Sequence, residues 1–134
     1  MRFGPLMHKH ALPVRVLLVD DNPMFVEALQ ALLSADDRVD VIATTDNSAD
    51  ALELAAAERA DVALVDLALP GFDGLATTRL LLESRPELRV VVLSGSAGRD
   101  HAQAALDAGA TCFLLKGGLH EEIAEAIVAA HLAV

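Results

Sequence analysis

Short apolar runs recur along the chain, each followed by a longer stretch whose apolar positions fall three and four apart. Val14-Arg-Val-Leu-Leu-Val19, bounded by Pro13 and an acid pair, predicts a first strand. Pro23 then sits where a first helical turn tolerates it, and Phe25, Leu29, Leu32 and Leu33 mark the inner face of a helix. Val39 to Thr44 reads as a second strand. Ser48 is the expected N-cap of a helix running to about Arg59, with Leu52, Ala55 and Ala56 on one face. Val62 to Val65 is a third strand ending at Asp66, and a loop rich in turn residues follows. Asp73 is placed to cap a third helix carrying Leu75, Thr78 and Leu82, which Pro86 stops. Val90 to Leu93 is a fourth strand ending in Ser94-Gly-Ser96. A helix over roughly 100–108 follows, closed by Gly109. Cys112 to Leu115 is the fifth strand, ending at Lys116. The last helix starts near His120 and turns Ile123, Ala126, Ile127 and Ala130 inward.

This alternation implies an α/β domain with a parallel sheet and helices on both faces. The strands are continuous apolar runs, as burial on both faces requires. At 134 residues the chain is long enough for one core and too short for two ordinary ones. Hydrophobic residues make up 54% and aromatics only 3%, so Leu, Val, Ile and Ala must build that core. The formal charge of -10 argues against grip on a nucleic-acid backbone, which needs a basic footprint. The single Cys112 has no disulfide partner in the chain and reads as a small buried hydrophobe. No stretch is long and apolar enough to span a bilayer, and Met1 to Pro13 lacks the apolar core of a secretory signal. A cytoplasmic location is the expectation.

The polar residues collect where the strands end. Asp20 and Asp21 close the first strand, Asp66 the third, Ser94 the fourth and Lys116 the fifth. In open α/β sheets, ligands bind beyond these carboxyl ends. Converging carboxylates repel unless a cation joins them, and Mg²⁺ takes a few carboxylate oxygens while keeping several waters. A lysine adds a point charge suited to phosphate oxygens, and a hydroxyl can donate to the same group. Taken singly, the acid pair reads as a helix cap, Ser94 as turn chemistry and Lys116 as a solvated charge. Together they make a phosphoryl-transfer site with a carboxylate nucleophile.

The segments V-L-L-V-D-D-N-P, A-L-V-D-L-A-L-P-G-F-D-G, V-V-L-S-G-S and G-A-T-C-F-L-L-K resemble the receiver domain of bacterial response regulators. The resemblance runs from about Val14 to the final helix. It implies a flavodoxin-like, doubly wound five-stranded sheet of order 2-1-3-4-5 over 14–134, preceded by an extension over 1–13. It implies that Asp66 is the phospho-acceptor, that Asp21 binds Mg²⁺ directly, and that Asp20 acts through a metal-bound water. Ala68 would offer its backbone carbonyl to the metal. Ser94 and Lys116 would contact the phosphoryl group, and Phe113 would change rotamer on activation. Lys116 is followed by Gly117-Gly118 where many members have proline, and this resembles the NarL/LuxR-type subgroup, whose members carry a helix-turn-helix output domain.

The implied partner is a sensor histidine kinase donating from a phosphohistidine. A second copy docking through the last helices and the fifth strand is also expected, and DNA contact would belong to a domain other than this segment. Two other classes compete. A receiver fold serving only as an interaction module is disfavoured by the intact acids, Ser94 and Lys116. An aspartyl phosphatase would show a second acid two residues after the nucleophile, where this chain has Ala68, so no enzyme acting on an external substrate is expected.

Overall fold

The computed structural model describes residues 12–68, 74–95, 99–117 and 120–133. Five strands alternate with five helices: β1 (Val14–Val19), α1 (Pro23–Ser34), β2 (Val39–Thr45), α2 (Ser48–Ala57), β3 (Val62–Asp66), α3 (Gly74–Ser84), β4 (Arg89–Ser94), α4 (Arg99–Asp107), β5 (Cys112–Leu115) and α5 (His120–Leu132). All strand pairs are parallel and the order is β2-β1-β3-β4-β5, as the resemblance implied.

Side chains alternate across the sheet, so each strand feeds two cores. Val16, Leu18, Val62, Leu64, Val91 and Leu93 pack with Leu29 and Leu33 of α1 and with Ile123 and Ile127 of α5. Leu17, Val19, Ala63, Val65, Val90 and Val92 pack with Ala51 and Ala55 of α2, Leu81 of α3 and Ala105 of α4. Central β3 is buried along its whole length, Asp66 included. Alanines on α2 and α4 let those helices approach the sheet closely. Cys112 is half-buried against the first core, and burial pushes its thiol up from its ordinary pKa.

Helix boundaries correct some expectations. Asn47, not Ser48, caps α2: its side chain accepts from the Asp50 N–H at 2.9 Å, and its amide donates to Asp50 Oδ2 at 3.0 Å. Ser48 is instead a buried first-turn residue. Ala56 is exposed, and Ala51 takes the inner position beside Ala55, because the face is set from Ser48 by steps of three and four. On α3 the fully buried positions are Gly74, Thr77, Thr78 and Leu81, with Leu75 and Leu82 half-buried beside them. The Asp73 cap, the residues that begin the extension (1–11), Ser96 and Gly118 lie outside the described residues.

Two helices end in the same backbone motif. After α4, Gly109 adopts φ +106°, with its N–H on the Leu106 carbonyl and that of Ala110 on the Ala105 carbonyl. After α2, Arg59 fills the equivalent left-handed position at φ 53°, with the same pair of bonds, and without glycine's freedom.

Candidate functional site

The first strand end is organised by the start of α1. Pro23 is the first helical residue and Asn22 is the cap, accepting from the Phe25 N–H at 3.2 Å. The acid pair is thereby relieved of capping. Asp20 is buried and its Oδ1 accepts from the Asn22 N–H at 2.9 Å, which fixes the carboxylate in the turn. Asp21 is exposed.

Asp66 ends β3, 5% exposed, and its Oδ1 accepts from the Ala68 N–H at 3.2 Å. Behind it the backbone is packed too tightly for a side chain. A Cβ on Gly74 would collide with the Asp66 carbonyl oxygen and lie 2.6 Å from Leu67 Cα, and the Gly74 N–H bonds the Leu67 carbonyl at 2.8 Å. A glycine at the first position of α3 is therefore a condition for seating Asp66. Its place in a turn-rich loop suggested only turn chemistry.

Lys116 leaves the end of β5 and reaches across the sheet. Its ammonium lies 2.8 Å from Asp20 Oδ2 and 3.4 Å from Asp66 Oδ2. The nearer contact is an ion pair without hydrogen-bond alignment. Nζ also lies over the Phe25 ring, 4.5 Å from its centroid. The lysine side chain is only 17% exposed, so it is an internal cation and not the solvent-edge charge its position suggested. Phe25 has the spacing of a core residue, and nothing local in the sequence ties it to Lys116.

Asp20, Asp21 and Asp66 each offer a carboxylate oxygen within 4.8 Å of the others. Three hard anionic donors around a small gap fit a hard divalent cation, with Asp21 on the solvent side leaving room for bound water. The electrostatics agree. Burial pushes the Asp66 carboxyl above its ordinary pKa, Asp20 adds to this, and the Ala68 N–H and Lys116 oppose it. An open cleft of about 400 Å³ beside the pair, lined by Asp20, Asp21, Pro23, Thr45, Asp46 and Asp50, reaches solvent.

Ser94 ends β4 buried, one step beyond the Asp66–Leu93 register pair, and its carbonyl accepts from the Lys116 N–H at 2.7 Å. Phe113 is half-buried against the second core, two residues before the end of β5 and in register with Val92. The strand ends thus assemble Asp20, Asp66, Ser94 and Lys116 in adjacent positions, with Asp21 and Ala68 exposed at the rim.

Residues 16–128 match the response regulator receiver domain family. The chain belongs to it. The receiver is 34% identical over 117 residues to the transcriptional regulatory protein LiaR of Bacillus subtilis, which covers 87% of this chain and 56% of the relative. It is 43% identical over 100 residues to a protein-glutamate methylesterase/protein-glutamine glutaminase of Myxococcus xanthus, covering 73% of this chain and 28% of that protein. The signal receiver domain of NarL from Mycobacterium tuberculosis superposes with a TM-score of 0.84 at 35% identity, covering 91% of this chain and 98% of that one. The NarL- and LiaR-type company agrees with the subgroup read from the residues after Lys116. This receiver spans about half the length of the transcriptional regulators it matches. Among the described residues, no helix is long and apolar enough to cross a membrane.

Proposed function

We propose that Asp66 accepts a phosphoryl group from a phosphohistidine of a sensor histidine kinase in the cytoplasm, with Mg²⁺ as cofactor. The observation that carries this reading is the buried Asp66 carboxylate, flanked by two further acids and one internal ammonium at the sheet edge. Asp66 Oδ attacks phosphorus as the bond from phosphorus to the imidazole nitrogen breaks, and the leaving nitrogen keeps the electron pair. Asp21, Asp66 and the Ala68 carbonyl would hold Mg²⁺ directly and Asp20 would hold it through a water, and the bound ion would supply positive charge toward the phosphoryl oxygens. Lys116 trades part of its pairing with Asp66 for the arriving oxygens, and Ser94 donates its hydroxyl to the same group.

Movement of Ser94 makes room for Phe113 to turn inward, which alters the face built by α4, β5 and α5. That face takes a second copy of the chain. The receiver occupies 14–134, and its output is transcriptional, exerted through a DNA-binding domain outside this segment. The chain itself turns over no external substrate.

The test is labelling by phosphoramidate with Mg²⁺. Wild type takes up acyl phosphate labile to strong acid and to base, and Asp66→Asn takes up none. Labelling of Asp66→Asn at the wild-type level sinks the assignment.

A further inference from the structure

A closed circuit of contacts passes through the Lys116 ammonium. Asp20 Oδ2 pairs with Nζ at 2.8 Å, and Asp20 Oδ1 accepts from the Asn22 N–H at 2.9 Å. Asn22 Oδ1 accepts from the Phe25 N–H at 3.2 Å, and the Phe25 ring returns to Nζ at 4.5 Å. The residue that starts α1 therefore also fixes the ring that faces the lysine. Lysine carries its charge on a flexible stem, and the two acids alone leave Nζ room to move. An aromatic ring beside it attracts the ammonium through its π face, and it does so without adding negative charge. Another carboxylate there would compete with an arriving phosphoryl group for the N–H donors. An aromatic face leaves them available.

We infer that Phe25 is a positioning residue of the phosphoryl-transfer site, holding the Lys116 ammonium over the gap between Asp20 and Asp66. The inference rests on the function proposed above. Phe25 also packs partly against the first core, so loss of bulk and loss of the ring must be separated. Phe25→Leu keeps apolar bulk without a π face, and Phe25→Tyr keeps the face.

Two readouts apply to the full chain. The first is the NMR shift of the Lys116 ε-methylene protons. In wild type and Phe25→Tyr the ring should move them upfield, and in Phe25→Leu they should return to the ordinary lysine position. The second is the rate of labelling by phosphoramidate at saturating Mg²⁺. Phe25→Leu should label roughly three- to tenfold more slowly, as the loss of one cation–ring contact predicts, with Phe25→Tyr close to wild type. Equal rates for wild type and Phe25→Leu overturn the inference, as do equally slow Leu and Tyr variants or Lys116 protons indifferent to the ring. A wild type that takes up no phosphate defeats the functional reading instead, and the proton shifts then still decide whether the ring holds the lysine. Should Phe25→Leu fail to fold, Phe25→Met serves in its place.

Discussion

At the amino ends of the strands, Arg15, Arg38 and Arg89 meet acceptors, whereas at the carboxyl ends three aspartates cluster and two of them share one lysine. Arg15 near the start of β1 donates to the Glu58 carbonyl at 3.0 and 2.8 Å, and its N–H bonds Asp61 Oδ2 at 2.9 Å. Arg38, just before β2, grips both oxygens of Asp36 at 2.9 and 2.7 Å and reaches Glu125 of α5 at 2.9 Å. Arg89 at the start of β4 bonds the carbonyls of Glu87 and Ala133. The titrations differ accordingly: Arg38 pulls Asp36 down to about 2, and burial pushes Asp66 up. The difference teaches where this fold keeps its unfavourable electrostatics. The amino edge closes loops and ties α5 to β2. The carboxyl edge gathers like charges in a half-dry site, an arrangement that a bound cation resolves.

Filling the space behind Asp66 should have the largest effect. In Gly74→Ala the new methyl would meet backbone of Asp66 and Leu67, which has no rotamer to escape into. We expect a loss of about 2–4 kcal/mol in stability, from the overpacking cost of a close backbone approach. Urea unfolding followed by far-UV circular dichroism measures it, since the chain has no Trp or Tyr to report by fluorescence. A cost under about 1 kcal/mol would mean that the edge yields easily, and that Gly74 does not fix Asp66.

Asp66→Asn removes the charge that burial disfavours. The folded-state pKa of Asp66 is raised, so its contribution to stability is present below the unfolded carboxyl value and is lost as pH rises through the folded one. At pH 7, in the absence of divalent metal, the ionised group therefore burdens the fold. Removing the charge should raise Tm by roughly 3–5 °C, and the gap from wild type should shrink as pH falls toward 3. A lowered Tm at pH 7 would show that the Lys116 pairing outweighs burial, and the carboxyl edge would then resemble the amino edge.

The parts legible in the sequence were those that a strand or helix reports about itself. Sheet strands covered on both faces must be apolar throughout, so β1, β3 and β4 stood out by composition, β5 read as a shorter apolar run, and the acid, hydroxyl and lysine at their ends followed. The parts missed depend on through-space neighbours. Asn47 and Ser48 both satisfy the chemistry of a cap, and only the backbone geometry selects Asn47. Gly74 looked like turn punctuation until the Asp66 carbonyl lay against it. Phe25 had the period of a core residue, and its pairing with Lys116 joins positions at opposite ends of the chain. Sequence period reveals which face a residue shares, and not which charge waits opposite it.

The smallest expected effect belongs to the amino edge. Asp36 has a lowered folded-state pKa, first through the side-chain hydrogen bond from Arg38 and then through the Arg38 N–H. Its contribution is present above the unfolded carboxyl value and disappears as pH falls through about 2, the reverse of Asp66. The pair is open to water, with Arg38 47% exposed, so solvent screens most of its attraction. An asparagine would still accept from the Arg38 N–H through its amide oxygen, and would lose the charge and the guanidinium hydrogen bond to Oδ2. Asp36→Asn should therefore lower Tm at pH 7 by about 1–2 °C in low salt, and by less in 1 M salt, where the Debye length falls to about 3 Å. Near pH 2 the variant and wild type should converge. The sign is the decisive quantity: Asp66→Asn raises Tm as pH rises and Asp36→Asn lowers it. Calorimetric scans of the two variants across the same pH series would abolish the contrast between the sheet's edges if both curves moved the same way.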